Sequence, residues 1–403
     1  MQHLEYPRLR PGLAPVLDHL EPHVIYLIDQ LRLVHEPQRL TRVEFACVQL
    51  FDGRKTLRDI QLEAIRQVGG QLLPLDFFLA LVQKLDEALF LDGPRFRERL
   101  QSPVREPSCI GCYAREPDAL RRQLEQLFIG DNGPGRPRQR QPDGRLRAAL
   151  MPHIDYQRGG QTFAWGFKEV YERTDASLFV IIGTSHYSPQ RFILTRKDFK
   201  TPLGITRTDQ EYLDRLVQHY GAGLFDDELA HLPEHSIELE VVFLQYLYEN
   251  RRPIRIVPLL VGPFQDCVRE RKRPTEAADI GRMIEALRRV EAETCEPICY
   301  IISGDLAHIG PKFGDFQPVA EPWLTQSRQQ DERLMAALEH LDSDGYFNMI
   351  AEEDDRRRIC GLPPTYTLLA AAQPRQGKLL HYDQYVHSRG HESVSFASMA
   401  FYR

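Results

Sequence analysis

The chain has 403 residues, 42% of them hydrophobic and 27% charged, a composition that excludes disordered, collagen-like and low-complexity proteins. Its length suits two or three domains, or one large α/β domain with an appendage. A net charge of -6 argues against a non-specific nucleic-acid binder, and apolar runs such as 77–82 are far below the roughly 20 residues of a membrane span.

The N-terminus lacks the apolar core of a secretory signal, so a cytoplasmic location is expected, with neither nucleic acid nor membrane as partner. Residues 1–104 read as a small module. Helical spacing runs from Val43 to Phe51 and closes at Asp52-Gly53, and Thr56 then caps an amphipathic stretch from Leu57 to Val68. A third stretch spans Leu75 to Leu85, followed by Leu89-Phe90 and the turn Asp92-Gly93-Pro94, which predict a terminal strand-like hairpin. The pattern LTRVEFACVQLFDGRKTLRDI, with Gly69-Gly70 and LDEALFLDG, resembles the PqqD-like winged-helix modules that bind peptides in modified-peptide biosynthesis. That resemblance implies a peptide partner; the alternative is a helical cap that only packs on the main domain.

Residues 105–117 read as a linker and Asp118 to Phe128 as a helix. The Gly/Pro/Arg-rich segment that follows carries Arg136, Arg138, Arg140, Arg145 and Arg147 with no aromatic among them, so it reads as a solvated loop rather than an anion site. Beyond it, apolar strands are predicted at 146–151, 178–183, 254–261 and 298–302, and helices at 161–173, 236–248 and 277–290. This alternation predicts an α/β domain on a largely parallel sheet over 105–403, closed by the period-two strand 393–399.

The 14 histidines are the unusual count. Ligands of open α/β sheets bind outside the carboxyl ends of the strands, and three histidines fall there: His153 in MPHIDYQRGG, His186 in IIGTSHYS and His308 in IISGDLAHIG. A fourth, His235 in LPEHSIELE, precedes a helix. Each alone reads as a structural histidine. Together they read as a metal site, with Asp155, Glu234 and Asp305 as the nearest acceptors for the second ring nitrogens. His3, His19, His23, His35, His219 and His340 fall into the structural background.

Seven scattered cysteines do not make a disulfide scaffold. Cys360 lies near a predicted helix N-terminus after Arg356, Arg357 and Arg358, surroundings that favour a thiolate, with a buried structural thiol as the alternative. Cys109 and Cys112 form a CxxC without a second ligand pair, a weak zinc signal, and Cys47, Cys267, Cys295 and Cys299 read as structural.

Six segments, in order, resemble the Memo family. PHIDYQRGG is similar to its Pro-His-Ala-Gly-Tyr followed by Ser-Gly, GTSHYS to Gly-Pro-Ser-His-His, and PEHSIELE to Glu-His-Ser-Leu-Glu. SGDLAHIG is similar to Ser-Ser-Asp-Leu-Ser-His-Tyr-Gly, ICG to Cys-Gly, and SVSFASMAF to the closing strand; CIGCYAREPDAL looks like the family's opening Ala-Gly-Ser-Phe-Tyr-Pro. The first hundred residues lie outside the usual Memo domain.

The resemblance implies a fold like that of class III extradiol dioxygenases, a sheet flanked by helices, here with the small N-terminal, mainly helical domain added. It also implies metal ligands at His153, His186 and Cys360, and pocket residues at Asp305, His308, Glu234 and His235. The bacterial members it resembles are protein B of the AmmeMemoRadiSam system, which implies an AMMECR-type protein and a radical SAM enzyme as partners. Two departures stand out. Ile154-Asp155 replaces Ala-Gly, which would place a bulkier, charged group near the metal, and Tyr187 replaces a histidine whose role does not transfer.

Two imidazoles and a thiolate suit iron, copper or zinc, and iron is the first expectation and copper the second. The expected chemistry is redox or oxygen handling, with His308, oriented by Asp305, transferring a proton while Glu234 or His235 completes the polar wall. The competing expectations are a peptide- or protein-binding adaptor with a structural or vestigial metal, and a zinc-type hydrolase.

Overall fold

Two sets of residues, Met1–Pro103 and Val104–Arg403, each gather their own contacts into a separate unit. The computed structural model describes every residue except Met1, His19, His35, Val68, Gln71 and 139–144. The sequence readings at His19, His35, Val68 and Arg140 therefore lie outside the described residues, as does that at the side chain of His3.

In the smaller unit an antiparallel sheet of Leu13–Leu17, Val24–Asp29 and Gln38–Thr41 follows the short helix Gln2–Glu5 and precedes the longer helices, a sheet that helical spacing did not signal. Thr41 and Glu44 form a capping box on the helix Arg42–Val48, and Thr56 and Asp59 bond each other's backbone N–H ahead of Leu57–Gln67. A third helix spans Leu75–Glu87. The expected terminal hairpin is absent among the described residues: Pro94, first residue of Pro94–Gln101, starts a helix instead, as proline readily does at that position. Leu27, Leu40, Ile60, Phe78, Leu85 and Phe90 fill the core of this unit.

In the larger unit four parallel strands lie side by side in the order Leu146–Met151, Ile298–Ser303, Leu178–Thr184 and Arg255–Val261. Being buried on both faces, they are continuous apolar runs rather than alternating ones. Val180, Ile182, Leu259 and Ile302 face a layer built from Ala278–Glu293, Trp323–Glu339 and Leu362–Ala372. Phe179, Ile181, Leu260 and Ile301 face the opposite layer, built from Pro117–Ile129, Tyr156–Arg173 and Glu238–Tyr248. The closing strand, Ser393–Tyr402, runs antiparallel to Leu146–Met151, with Gln376–Val386 antiparallel on its other side. This is the helix-flanked α/β sheet expected from the sequence.

The strand Ile298–Ser303 enters last yet lies between the first two, so the chain crosses the sheet in opposite directions on either side of it. Such a switch in strand order opens a crevice at the carboxyl ends.

Residues 105–117 are not a linker. Val104–Arg105 is a short strand beside Asp198–Thr201, and Arg105, 1% exposed, forms a fully buried ion pair with Glu238. Arg147 is not part of a solvated loop either. It lies in the Leu146–Met151 strand and holds Glu291 in an ion pair. No helix among the described residues is long and apolar enough to cross a membrane.

Candidate metal centre

Three of the parallel strands end at Met151, Thr184 and Ser303, and the residues just beyond them turn into the crevice. His153 follows the first, His186 the second and Asp305 the third. Cys360 arrives from the opposite layer, one residue before Gly361, the N-cap of Leu362–Ala372. That approach needs two glycines in contact: a Cβ on Gly304 would stand 2.4 Å from the Gly361 Cα. Gly361 N–H donates to the Asp305 carbonyl at 2.9 Å, and Thr184 Oγ1 donates to the Cys360 carbonyl at 2.8 Å.

The side chains converge. Cys360 Sγ lies 3.2 Å from His153 Nε2, and the ring centroids of His153, His186 and His235 are 4.9 to 5.2 Å apart. Candidate donor atoms of His153, His186 and His235 lie within 4.8 Å of one another, as do those of His153, Asp305 and Cys360, so His153 is common to both groups.

Glu234 supports the group from below. Its carboxylate, 1% exposed, accepts backbone N–H from His186 at 2.8 Å, His235 at 2.8 Å and Ser236 at 2.9 Å. It also lies 3.0 Å from His186 Nδ1 and 3.2 Å from His235 Nδ1. An ionised carboxylate only accepts, so it fixes the His186 proton on Nδ1 and turns Nε2 away from itself. Burial opposes its ionisation, yet the two imidazoles hold the Glu234 carboxyl well below the usual range. Burial would also lower His186, but Glu234 and the Cys360 thiol raise it well above the ordinary imidazole value.

His153 is held well below that value by burial and by the His186 and His235 rings, so it is neutral. Its Nδ1 faces Ser303 Oγ at 3.5 Å. Burial pushes the Asp305 carboxyl up to about 7 against the pull of the His153 N–H, which it accepts at 2.9 Å. A cavity of about 510 Å³ adjoins the centre, with His186 and Cys360 in its wall and Tyr187, Phe264, Ile359 and Leu362 as apolar lining.

Several sequence readings need correction. Asp305 does not orient His308. Two carbonyls do, those of Leu306 at 3.1 Å and Arg358 at 3.0 Å from His308 Nδ1, and burial lowers this imidazole to about 4. Asp155 carries no charge to the centre, since it caps Tyr156–Arg173 and pairs with Arg158 at 2.6 Å. Ile154 packs with Val394 and Phe396. The three arginines before Cys360 do not favour its thiolate: Arg356 and Arg357 pair with Glu353, Arg357 also with Asp331, and Arg358 with Asp315. Burial raises the Cys360 thiol, and the nearby His186 opposes this. Sequence reasoning also missed Thr184, Ser303 and Gly304, for which the only signal was the run of small residues at strand ends, and Ser236, which precedes the helix Glu238–Tyr248.

A family model described as "Memo-like protein" matches residues 105–400. The chain belongs to the Memo-like family. A MEMO1 family protein of Aquifex aeolicus is 26% identical over 368 residues, covering 88% of this chain and 90% of its own. Memo-like relatives from Thermococcus onnurineus and Thermococcus kodakarensis are each 30% identical, covering 74% of this chain and 99% and 100% of theirs. The Aquifex match covers more of the chain than residues 104–403 provide, so this Memo-like relative shares part of the smaller unit.

Proposed function

We propose that this Memo-like protein binds a transition metal through His153, His186 and Cys360 and performs redox or oxygen chemistry beside the apolar cavity. The observation that carries this reading is the convergence, at the strand-end crevice, of imidazole and thiol donors on a buried carboxylate support. Mixed nitrogen and sulfur donors suit iron, copper or zinc; iron is the metal proposed, by the resemblance to the dioxygenase-like fold, with copper second and zinc as the alternative. When bound, such a metal supplies Lewis-acid or one-electron chemistry at an open coordination position.

The protein's own groups account for the remaining work. Glu234 holds His186 through Nδ1, the other side of that ring faces the Cys360 thiol, and neutral His153 presents Nε2 beside Cys360 Sγ. His235 and Asp305 stand close enough to add a donor. His308 Nδ1–H is shared between two carbonyls, so its Nε2 keeps a lone pair at neutral pH and accepts a proton from substrate. The cavity's apolar wall admits a substrate while limiting water around the centre. By its resemblance to AmmeMemoRadiSam protein B, the chain would act with an AMMECR-type protein and a radical SAM enzyme, in the cytoplasm.

The test is anaerobic purification with metal analysis and an iron-specific spectrum, then exposure to O2. Bound iron whose spectrum changes with O2 supports the reading; zinc alone would shift it to a hydrolase.

A second reading, a peptide-binding adaptor with a structural metal, is favoured by the smaller unit, which has its own core and an outer strand, Gln38–Thr41, paired on one side by Val24–Asp29. The His308→Ala variant separates the two. An enzyme loses turnover and keeps partner binding, whereas an adaptor loses neither.

A further inference from the structure

The CxxC segment takes no part in the proposed centre, yet it is built against it. Its turn closes through the Cys112 N–H, which donates to the Cys109 carbonyl at 2.9 Å, with Gly111 between them at a φ of 112°. The two thiols are in hydrogen-bonding contact, Cys109 buried and Cys112 partly exposed. The Cys112 carbonyl accepts the N–H of Tyr156, three residues beyond His153, at 3.1 Å. Ser108 and Cys109 N–H donate to Glu238 at 2.9 and 3.3 Å, and Arg105 donates to the Glu234 carbonyl at 2.6 Å. One short turn thus braces both segments that carry the candidate ligands and their support.

We propose that Cys109 and Cys112 form a reversible disulfide by exchange with small-molecule disulfides. The other five cysteines offer no comparable arrangement: Cys47, Cys267 and Cys299 are buried, Cys295 is exposed, and Cys360, partly exposed, has its sulfur against His153. Cys112 is the attacking sulfur because it is the one that solvent reaches. Its thiolate bonds one sulfur of the disulfide, the S–S bond breaks, and one thiolate leaves. Cys109, having lost its proton to water, then attacks the Cys112 sulfur and expels the second thiolate. The two cysteine thiols are oxidised, the small disulfide is reduced to two thiols, and the two protons released end on those thiols. Burial and the Glu238 carboxylate raise the Cys109 thiol well above the ordinary value, so the second step is the slower one.

The test uses the full-length protein and oxidised glutathione. After incubation, free thiols are alkylated and the protein is cut with trypsin, which releases Glu106–Arg115 with both cysteines on one peptide. The expected product is a peptide lighter by two hydrogens than the reduced form and resistant to alkylation, returning to the doubly alkylated form after dithiothreitol. Cys109→Ser should trap a glutathione adduct on Cys112, and Cys112→Ser should yield no internal disulfide. Exposed Cys295 reports that the oxidant is active. The proposal fails if Cys295 carries glutathione while the peptide remains doubly alkylated, or if Cys109 and Cys112 each take a glutathione without closing.

Discussion

Replacing Glu234 with Gln tests how much of the centre depends on its carboxylate support. The carboxylate accepts three backbone N–H groups and faces two imidazole nitrogens, while 1% of the residue is exposed. An amide has the same shape but turns one acceptor oxygen into a donor, which must then face an N–H of His186 or those of His235 and Ser236. Each charge-assisted hydrogen bond lost is worth about 1.5–3 kcal/mol, and a donor left buried without an acceptor adds a similar cost. Removing such a support typically weakens metal affinity about 10- to 100-fold, which is about 1.4–2.7 kcal/mol. Glu234→Gln should therefore unfold at clearly lower urea and release metal to a competing chelator at least tenfold more readily. The sign with pH follows from the lowered Glu234 value: its contribution is complete above the ordinary carboxylate range and is lost as pH falls through the depressed folded value. A variant with metal affinity within about twofold of wild type would refute the reasoning.

Three further changes probe the scaffold. Gly304→Ala places a methyl 2.4 Å from the Gly361 Cα, so overpacking of about 1–3 kcal/mol should push the Cys360 loop outward and lower both the melting temperature and metal retention. Glu238→Ala leaves Arg105 buried without its partner, and a loss of about 3–5 kcal/mol in urea unfolding is expected; a loss below about 1 kcal/mol would contradict the ion pair's role. Burial lowers His231 to about 3, so the folded state resists its protonation and stability falls by about 1.4 kcal/mol per pH unit below roughly 6.5. His231→Asn should remove that slope from the acid-unfolding profile.

The sheet was legible because its strands are buried on both faces and read as apolar runs, with predicted ends mostly within a residue of those observed. His153 and His186 were legible because strand ends in an open sheet face one crevice; His308, read by the same rule, lies outside the donor groups, and Asp305, read only as an acceptor, lies within one. What the sequence concealed depends on direction. Arg357 lies close to Cys360 along the chain, yet its guanidinium points to Asp331. Asp305 precedes His308 by three residues, yet carbonyls from Leu306 and Arg358 hold that ring. The sheet of the smaller unit went unread although Val24–Asp29 is an apolar run, because its edge strand Leu13–Leu17 is short, largely exposed and interrupted by Pro15.

The central claim is metal binding by His153, His186 and Cys360. The most direct measurement is the metal content of anaerobically purified wild type beside that of the triple alanine variant, with circular dichroism showing that both are folded. The account predicts close to one iron or copper per wild-type chain and none in the variant. A folded triple variant that keeps stoichiometric metal would contradict it.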